Sequence, residues 1–132
     1  MKQVITGLLL LVVMLMSCKK TAQVVRVRFE NQTMWNFTNI YVNEHKLGDL
    51  SIGETTGYTE YSEYNLHDNK PEPESFSGNI SPTERLAFVQ PTSSNPALLG
   101  RIEKMSPGDY TVVLKSGYYT QSTNTYITFN FK

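Results

Sequence analysis

The sequence predicts an all-β fold, an antiparallel β-sandwich of about seven or eight strands, with an open barrel as the alternative. Three observations carry that reading. Val25, Val27 and Phe29 alternate with Arg26 and Arg28, and Ile127, Phe129 and Phe131 alternate with Thr128 and Asn130. This is the period of a strand with one buried and one wet face. Glycine and proline punctuate the chain at short intervals, which suits turns between short strands. Beyond Cys18 no long segment carries the apolar period of a helix, and Tyr, Thr, Phe and Val are prominent.

Taken in order, Gln23–Glu30 is the first strand and Asn31-Gln32-Thr33 a turn. Phe37 to His45 is a second strand, with Ile40 and Val42 on one face and Tyr41 on the other, and Gly48-Asp49 turns the chain after it. Glu54–Leu66 is a third strand, in which Gly57 marks a bulge or a break. The segment from His67 to Pro82 is the least structured. Its centre, Asp68-Asn69-Lys70-Pro71-Glu72-Pro73-Glu74, has no apolar side chain other than its prolines, and proline cannot donate to a ladder, so an exposed loop is expected. A short strand follows at Ser75–Ile80. Arg85–Gln90, with Leu86, Ala87, Phe88 and Val89 in succession, reads as a strand buried on both faces. Pro91 to Pro96 is a loop and Leu98–Met105 a strand. Ser106-Pro107-Gly108-Asp109 has the pattern of a type II turn leading into Tyr110–Lys115, and Gly117 turns the chain towards the final strand. The expected core is Val25, Val27, Phe29, Leu86, Phe88, Val112, Leu114, Ile127 and Phe129.

The chain opens with Lys2 and an apolar run from Val4 to Met16, ending in Leu15-Met16-Ser17-Cys18 with Lys19 and Lys20 directly after. A charge, a short apolar run and a small residue before a cleavage point are the parts of a secretory signal. The run is shorter than the roughly 20 residues that span a bilayer as a helix. Leu15 and Ser17 ahead of the single cysteine resemble the lipobox of bacterial lipoprotein precursors, with Met16 larger than the usual residue there. The resemblance implies removal of Met1–Ser17, a diacylglycerol on the Cys18 thiol and acylation of the new amino group, palmitate being the expected acyl chain. One acyl chain binds a membrane marginally and several bind it stably. Residues 1–17 are thus expected to be signal, 18–22 the lipidated cysteine and tether, and 23–132 the β-sandwich domain. Lys19 stands where an acidic residue would signal inner-membrane retention, so by resemblance the outer membrane is the expected home.

Lys and Arg number 12, matching 12 Asp and Glu. A balanced chain with no basic stripe argues against a nucleic-acid partner, and the lack of a polybasic cluster argues against electrostatic membrane docking beyond the lipid. With Cys18 lipidated, no cysteine is left for a disulfide, a nucleophile or a metal thiolate.

Phe37-Thr38-Asn39-Ile40-Tyr41-Val42, Gly53-Glu54-Thr55-Thr56-Gly57-Tyr58, Phe88-Val89-Gln90-Pro91 and Pro107-Gly108-Asp109-Tyr110-Thr111 look like segments of small bacterial lipoproteins carrying one compact β-sandwich. The Pro107-to-Thr111 segment is also similar to transthyretin-like and immunoglobulin-type modules. These are strand and turn signatures. They imply a fold, and no catalytic residues come with them.

Catalytic patterns are sparse. His45 and His67 are the two histidines, and neither sits in an H-E-x-x-H spacing. Neither a G-x-S-x-G elbow nor a phosphate-binding G-x-x-x-x-G-K-[ST] loop occurs. The carboxylate pairs Glu72/Glu74 and Glu60/Glu63 read as solvated acids, and Asp68–Glu74 lacks the spacing of a calcium loop. No metal, cofactor or catalytic residue is therefore assigned, and the protein is expected not to be an enzyme. The alternative is a secreted hydrolase or metal-dependent enzyme whose site is assembled only by the fold. Trp35, Tyr58, Tyr61, Tyr64, Tyr118 and Tyr119 are the candidate contact patch for a protein or glycan ligand, being aromatic faces with polar tips. Tyrosine is equally a favoured strand residue, so packing in the core is the competing expectation. The expected function is a lipid-anchored, non-catalytic envelope protein acting as a binding or interaction module.

Overall fold

The computed structural model describes residues 24–90, 100–118 and 125–132. Among these the chain is all-β. The strands are β1 (Val25–Asn31), β2 (Phe37–Val42), β3 (His45–Leu50), β4 (Thr59–Tyr61), β5 (Asn65–His67), β6 (Ser75–Asn79), β7 (Arg85–Val89), β8 (Ile102–Lys104), β9 (Gly108–Tyr118) and β10 (Thr125–Phe131). They form two four-stranded sheets, one ordered β10-β9-β1-β4 and the other β3-β2-β6-β7, with β5 and β8 as a separate ribbon.

The alternation in β1 sets which face is buried. Val25, Val27 and Phe29 point inward beside Val112 and Leu114 of β9, while Arg26 on the opposite face is exposed. The other sheet contributes Phe37, Ile40, Val42, Leu50 and Phe76 to the same core. Aromatic edges join the two sheets. Phe76 lies 5.6 Å from Phe37 and 5.7 Å from Phe129, and Phe129 is 5.4 Å from Phe88, within the range of favourable edge-to-face and tilted pairs. Gly78 lets this happen, because a Cβ there would sit 2.9 Å from the Phe37 ring and 3.3 Å from Ile40.

Several expectations are corrected. The described strands number ten, and the sheets are mostly rather than wholly antiparallel: β1 and β9 run parallel, from Val25 opposite Gly108 to Asn31 opposite Leu114. The second expected strand ends at Val42, because Asn43 and Glu44 both take positive φ (46° and 68°) and fold β2 onto β3. That two-residue reversal has the signs of a type I′ turn. Gly48 and Asp49 lie inside β3 rather than in a turn, and Gly117 lies inside β9, paired with Tyr126. The third expected strand divides into β4 and β5. Gly108 already belongs to β9, and the Tyr110 hydroxyl donates to the Ser106 carbonyl at 3.0 Å, closing the lead-in.

The segment 67–82 departs from expectation in part: the short strand expected at Ser75–Ile80 is β6 and Asp68, Asn69 and Lys70 are exposed, but the two prolines are not. Asp68 and Asn69 take positive φ, and the His67 and Lys70 backbones exchange both hydrogen bonds, making a tight reversal. Pro71 and Pro73 are buried, and β6 is an interior strand of its sheet. Prolines that cannot pair are placed here by packing rather than left in solvent. Arg85–Val89, expected to be buried on both faces, is instead an edge strand with Val89 69 % exposed. Leu86, Phe88 and Ile127 pack against the core only in part, whereas the other six expected core residues are buried. Residues 91–99 of the expected loop and strand lie outside the described residues.

The pairing also gives the domain two ends. At the near end, where the described chain begins, Val25 pairs with Tyr61, and Tyr61 meets His45 beside the Asn43-Glu44 turn. At the far end, Asn31 binds the backbone of Trp35 and Leu50, while Thr38 pairs with Asn79 and Asn79 with Arg85. The length of β1, about 20 Å at roughly 3.3 Å per residue, separates them.

Candidate functional site

The far end carries a cleft of about 340 Å³ lined by Asn36, Thr38, Asn79, Ile80, Ser81 and Pro82. Two connections build it. One is the turn between β1 and β2, held by Asn31. The Asn31 amide nitrogen donates to the carbonyls of Trp35 (2.8 Å) and Leu50 (3.1 Å), and its Oδ1 accepts from the Thr33 backbone (3.0 Å) and hydroxyl (2.7 Å). Asn31 is fully buried and its side-chain groups are all used. The Asn36 Oδ1 accepts from the Ile52 N–H at 2.9 Å, which orients that amide at the rim. The other wall is the β6–β7 connection. Ile80 and Ser81 N–H groups donate to the Glu84 carbonyl at 3.0 and 3.3 Å, and the Ser81 hydroxyl accepts weakly from Thr83.

The lining is two primary amides, two hydroxyls and two apolar side chains, with no ionisable group. Such a surface supplies donors and acceptors without charge. It can hold and orient a polar ligand.

The aromatic residues expected to form a contact patch are not gathered in one place. Tyr61 and Tyr64 are buried, 2 % and 1 % exposed, with ring centroids 5.2 Å apart. They belong to the core at the near end, so a surface role for them is corrected. Tyr58 is exposed on the outer face of the β1-containing sheet, 5.5 Å from the Arg26 and 5.0 Å from the Arg28 guanidinium. Trp35 is half-buried at the far end, edge-on to Phe37 at 6.4 Å. The Tyr118 side chain, Tyr119 and Cys18 lie outside the described residues. The cleft itself is not legible in the sequence, because its residues come from two turns, and the strand ends beside them, that are far apart in the chain. Asn79-Ile80-Ser81-Pro82 carries turn chemistry, which is the signal that would have drawn attention to it.

No family model, curated protein or solved structure matches this chain.

The histidines are separate. His45 is exposed and stacks edge-on against Tyr61 at 4.8 Å. His67, expected at the surface or a strand end, closes β5 but is buried, its Nε2 3.1 Å from Glu74 Oε1, which also accepts from Asn65. Glu72 accepts from Gln90 at 2.9 Å, so this carboxylate and that of Glu74 serve the fold rather than standing free. Among the described residues no three His, Cys, Asp or Glu side chains are grouped to hold a metal ion. On the outer sheet face Arg26 grips Asp109 through two bonds of 2.7 and 2.6 Å, a hydrogen-bonded pair that raises the guanidinium pKa further. Glu30 is lowered by hydrogen bonds from Lys132 and Gln32.

Burial pushes the Tyr61 and Tyr64 hydroxyls well above the usual tyrosine value. Among the described residues the buried Tyr61 hydroxyl has no hydrogen-bond partner. Deleting an unsatisfied buried donor removes its desolvation penalty. Tyr61→Phe is therefore expected to leave stability unchanged or raise it by about 1 kcal/mol, read by urea unfolding at neutral pH. As pH rises through 10, unfolded tyrosines ionise while these two stay neutral, so the folded state loses stability. The same variant should lose less than wild type over that range.

Proposed function

We propose that this chain is a lipid-anchored, non-catalytic protein of the cell envelope, held at the outer membrane through Cys18, whose domain is a binding or interaction module. The observation that carries this reading is the lipobox-like Leu15-Met16-Ser17-Cys18 placed a short tether ahead of an all-β domain. We take the two sheets, which share one aromatic core, as the halves of a mostly antiparallel β-sandwich. The Tyr110 hydroxyl reaching back to the Ser106 carbonyl resembles the corner that a tyrosine closes in immunoglobulin-type sandwiches, which supports that part of the reading.

The two ends of the domain give the reading a geometry. The described chain starts at the near end, so a lipid on Cys18 tethers that end. The cleft lies at the other end and is displayed away from the bilayer surface. Binding residues carried on turns of a rigid β scaffold are a common arrangement.

Cys18→Ser tests the anchor. The variant is expected to leave the membrane fraction while keeping wild-type unfolding behaviour, and mass spectrometry of the wild-type protein should find a chain starting at a lipidated Cys18. An unmodified Cys18 in the wild type refutes the anchor. Crosslinking in the native envelope then tests the module, which is expected to capture a partner through the domain. A domain that captures nothing in the envelope refutes that part.

A further inference from the structure

We propose that the far-end cleft is a binding site for an uncharged saccharide, with Asn36, Thr38, Asn79 and Ser81 recognising its hydroxyl groups and Ile80 with Pro82 meeting an apolar face of the sugar. This rests on reading the domain as a non-catalytic binding module.

The chemistry of the lining carries the assignment. An anionic ligand asks for Arg, Lys or a cluster of free N–H groups, and a cation asks for carboxylates; the cleft is lined by neither kind of side chain. A primary amide offers a donor and an acceptor side by side, and a hydroxyl offers both. That combination complements the hydroxyl groups of a sugar ring. Thr38 and Asn79 stand opposite each other across β2 and β6, beside a bulge in β2, so hydroxyl and amide are presented from paired strand positions next to the two turns. Their side-chain polar groups are not consumed by the fold: no hydrogen bond within the described residues uses the Thr38 hydroxyl or the Asn79 amide, and the Asn36 amide spends only its oxygen, on Ile52. By contrast Asn31, a few residues away, spends every side-chain group it has on the backbone. The far end thus separates one amide that builds the turn from two that face the cleft.

Size agrees with a small ligand. About 340 Å³ lies at the lower end of small-molecule sites, which run from roughly 300 to 1,000 Å³. Pro82 and Ile80 supply the apolar wall such sites combine with a few fixed polar groups. An extended peptide would ask instead for a long groove with spaced side-chain pockets.

The chain's single tryptophan, Trp35, directly precedes Asn36 and is half-buried, which makes its fluorescence a local reporter. The test uses the full-length protein in a sugar-free zwitterionic detergent. Equilibrium dialysis measures binding of maltotriose, cellotriose and triacetylchitotriose, beside a glucuronate-bearing disaccharide and an unstructured neutral peptide, and Trp35 emission locates the site. Saturable binding of at least one neutral oligosaccharide with a change in Trp35 emission is expected. Asn79→Ala and Thr38→Val should each weaken it about tenfold, the worth of one hydrogen bond of the stronger kind. Tyr58→Ala, on the outer sheet face, should leave it unchanged. The proposal is overturned if none of the three neutral oligosaccharides binds at millimolar concentration, if the peptide or the acidic sugar binds in their place, or if Asn79→Ala and Thr38→Val bind like wild type. Failure of these arms with a partner still captured in the envelope refutes the saccharide and leaves the module standing. Cleavage of a bound oligosaccharide would keep the site and overturn the non-catalytic reading.

Discussion

Phe129→Ala is expected to destabilise the domain by roughly 3–5 kcal/mol, the range for removing a buried phenylalanine. Phe129 is 1 % exposed and sits in β10 facing the other sheet, where its ring meets Phe76 of β6 and Phe88 of β7. Truncation would take a partner from both rings, leaving Phe76 only Phe37, and open a void where the two sheets meet. Interiors pack too densely for neighbours to close such a space fully. Phe88 is only partly buried and lies on an edge strand, so it has some freedom to lean inward. That favours the lower half of the range. Denaturant unfolding of wild type and variant measures the difference, and a loss below about 1 kcal/mol would mean that the sheets are not joined through this ring.

The same residue shows how much of the fold is legible in the sequence. Alternation tells which side chains of a strand face inward, because the side-chain period along a strand is two. It placed Val25, Val27, Phe29, Val112, Leu114 and Phe129 in the core, where they are. Alternation carries no direction, so it left the parallel pairing of β1 with β9 invisible. It also fails where a run is continuously apolar. Leu86 to Val89 looks the same whether its second face meets protein or water, and here Val89 is largely exposed. The Asn43-Glu44 reversal was hidden because glutamate is a poor predictor of positive φ, and the hairpin therefore read as one long strand.

Site residues were harder to read for a different reason. Aromatic side chains suit both a contact surface and a sheet core, so Tyr58, Tyr61 and Tyr64 are indistinguishable by type. Register separates them: Tyr61 pairs with Val25 and shares its inward face, while Tyr58 comes to lie over the outward arginines of β1. Prolines misled in the 67–82 segment because the lack of a donor excludes a ladder position but does not exclude burial. Pro71 offers its carbonyl to the Tyr64 hydroxyl at 3.1 Å and is covered by the fold. The cleft needs tertiary contact before it exists at all, since Asn36 and Asn79 meet only when β2 pairs with β6.

The most damaging single change is expected at Asn31, which holds the turn leading to that cleft. Asn31→Asp alters one atom group in a fully buried side chain, yet it reverses the hydrogen bonding. The Trp35 and Leu50 carbonyls now receive donors from the Asn31 amide nitrogen. A carboxylate would face both with lone pairs, inside the protein, with no cation among the groups bonded to it. Breaking these bonds costs about 1–3 kcal/mol for each stranded group, and an unpaired buried charge adds to that. The loss should exceed about 4 kcal/mol and leave much of the domain unfolded at neutral pH. The sign of the pH dependence separates this cause from a packing defect. Burial would raise the pKa of the introduced carboxyl in the folded state, so the folded form binds the extra proton more tightly than the unfolded chain does. Stability then falls as pH rises above the unfolded carboxyl value and recovers on acidification. The protonated carboxyl can also donate to one of the two carbonyls, restoring half of the native pattern. Circular dichroism melts from neutral to mildly acidic pH, referenced to wild type at each pH, should therefore show the variant's deficit shrinking as pH falls. A deficit that stays constant would mean that the Asn31 side chain acts by its shape alone, and that the far-end turn does not depend on its two amide donors.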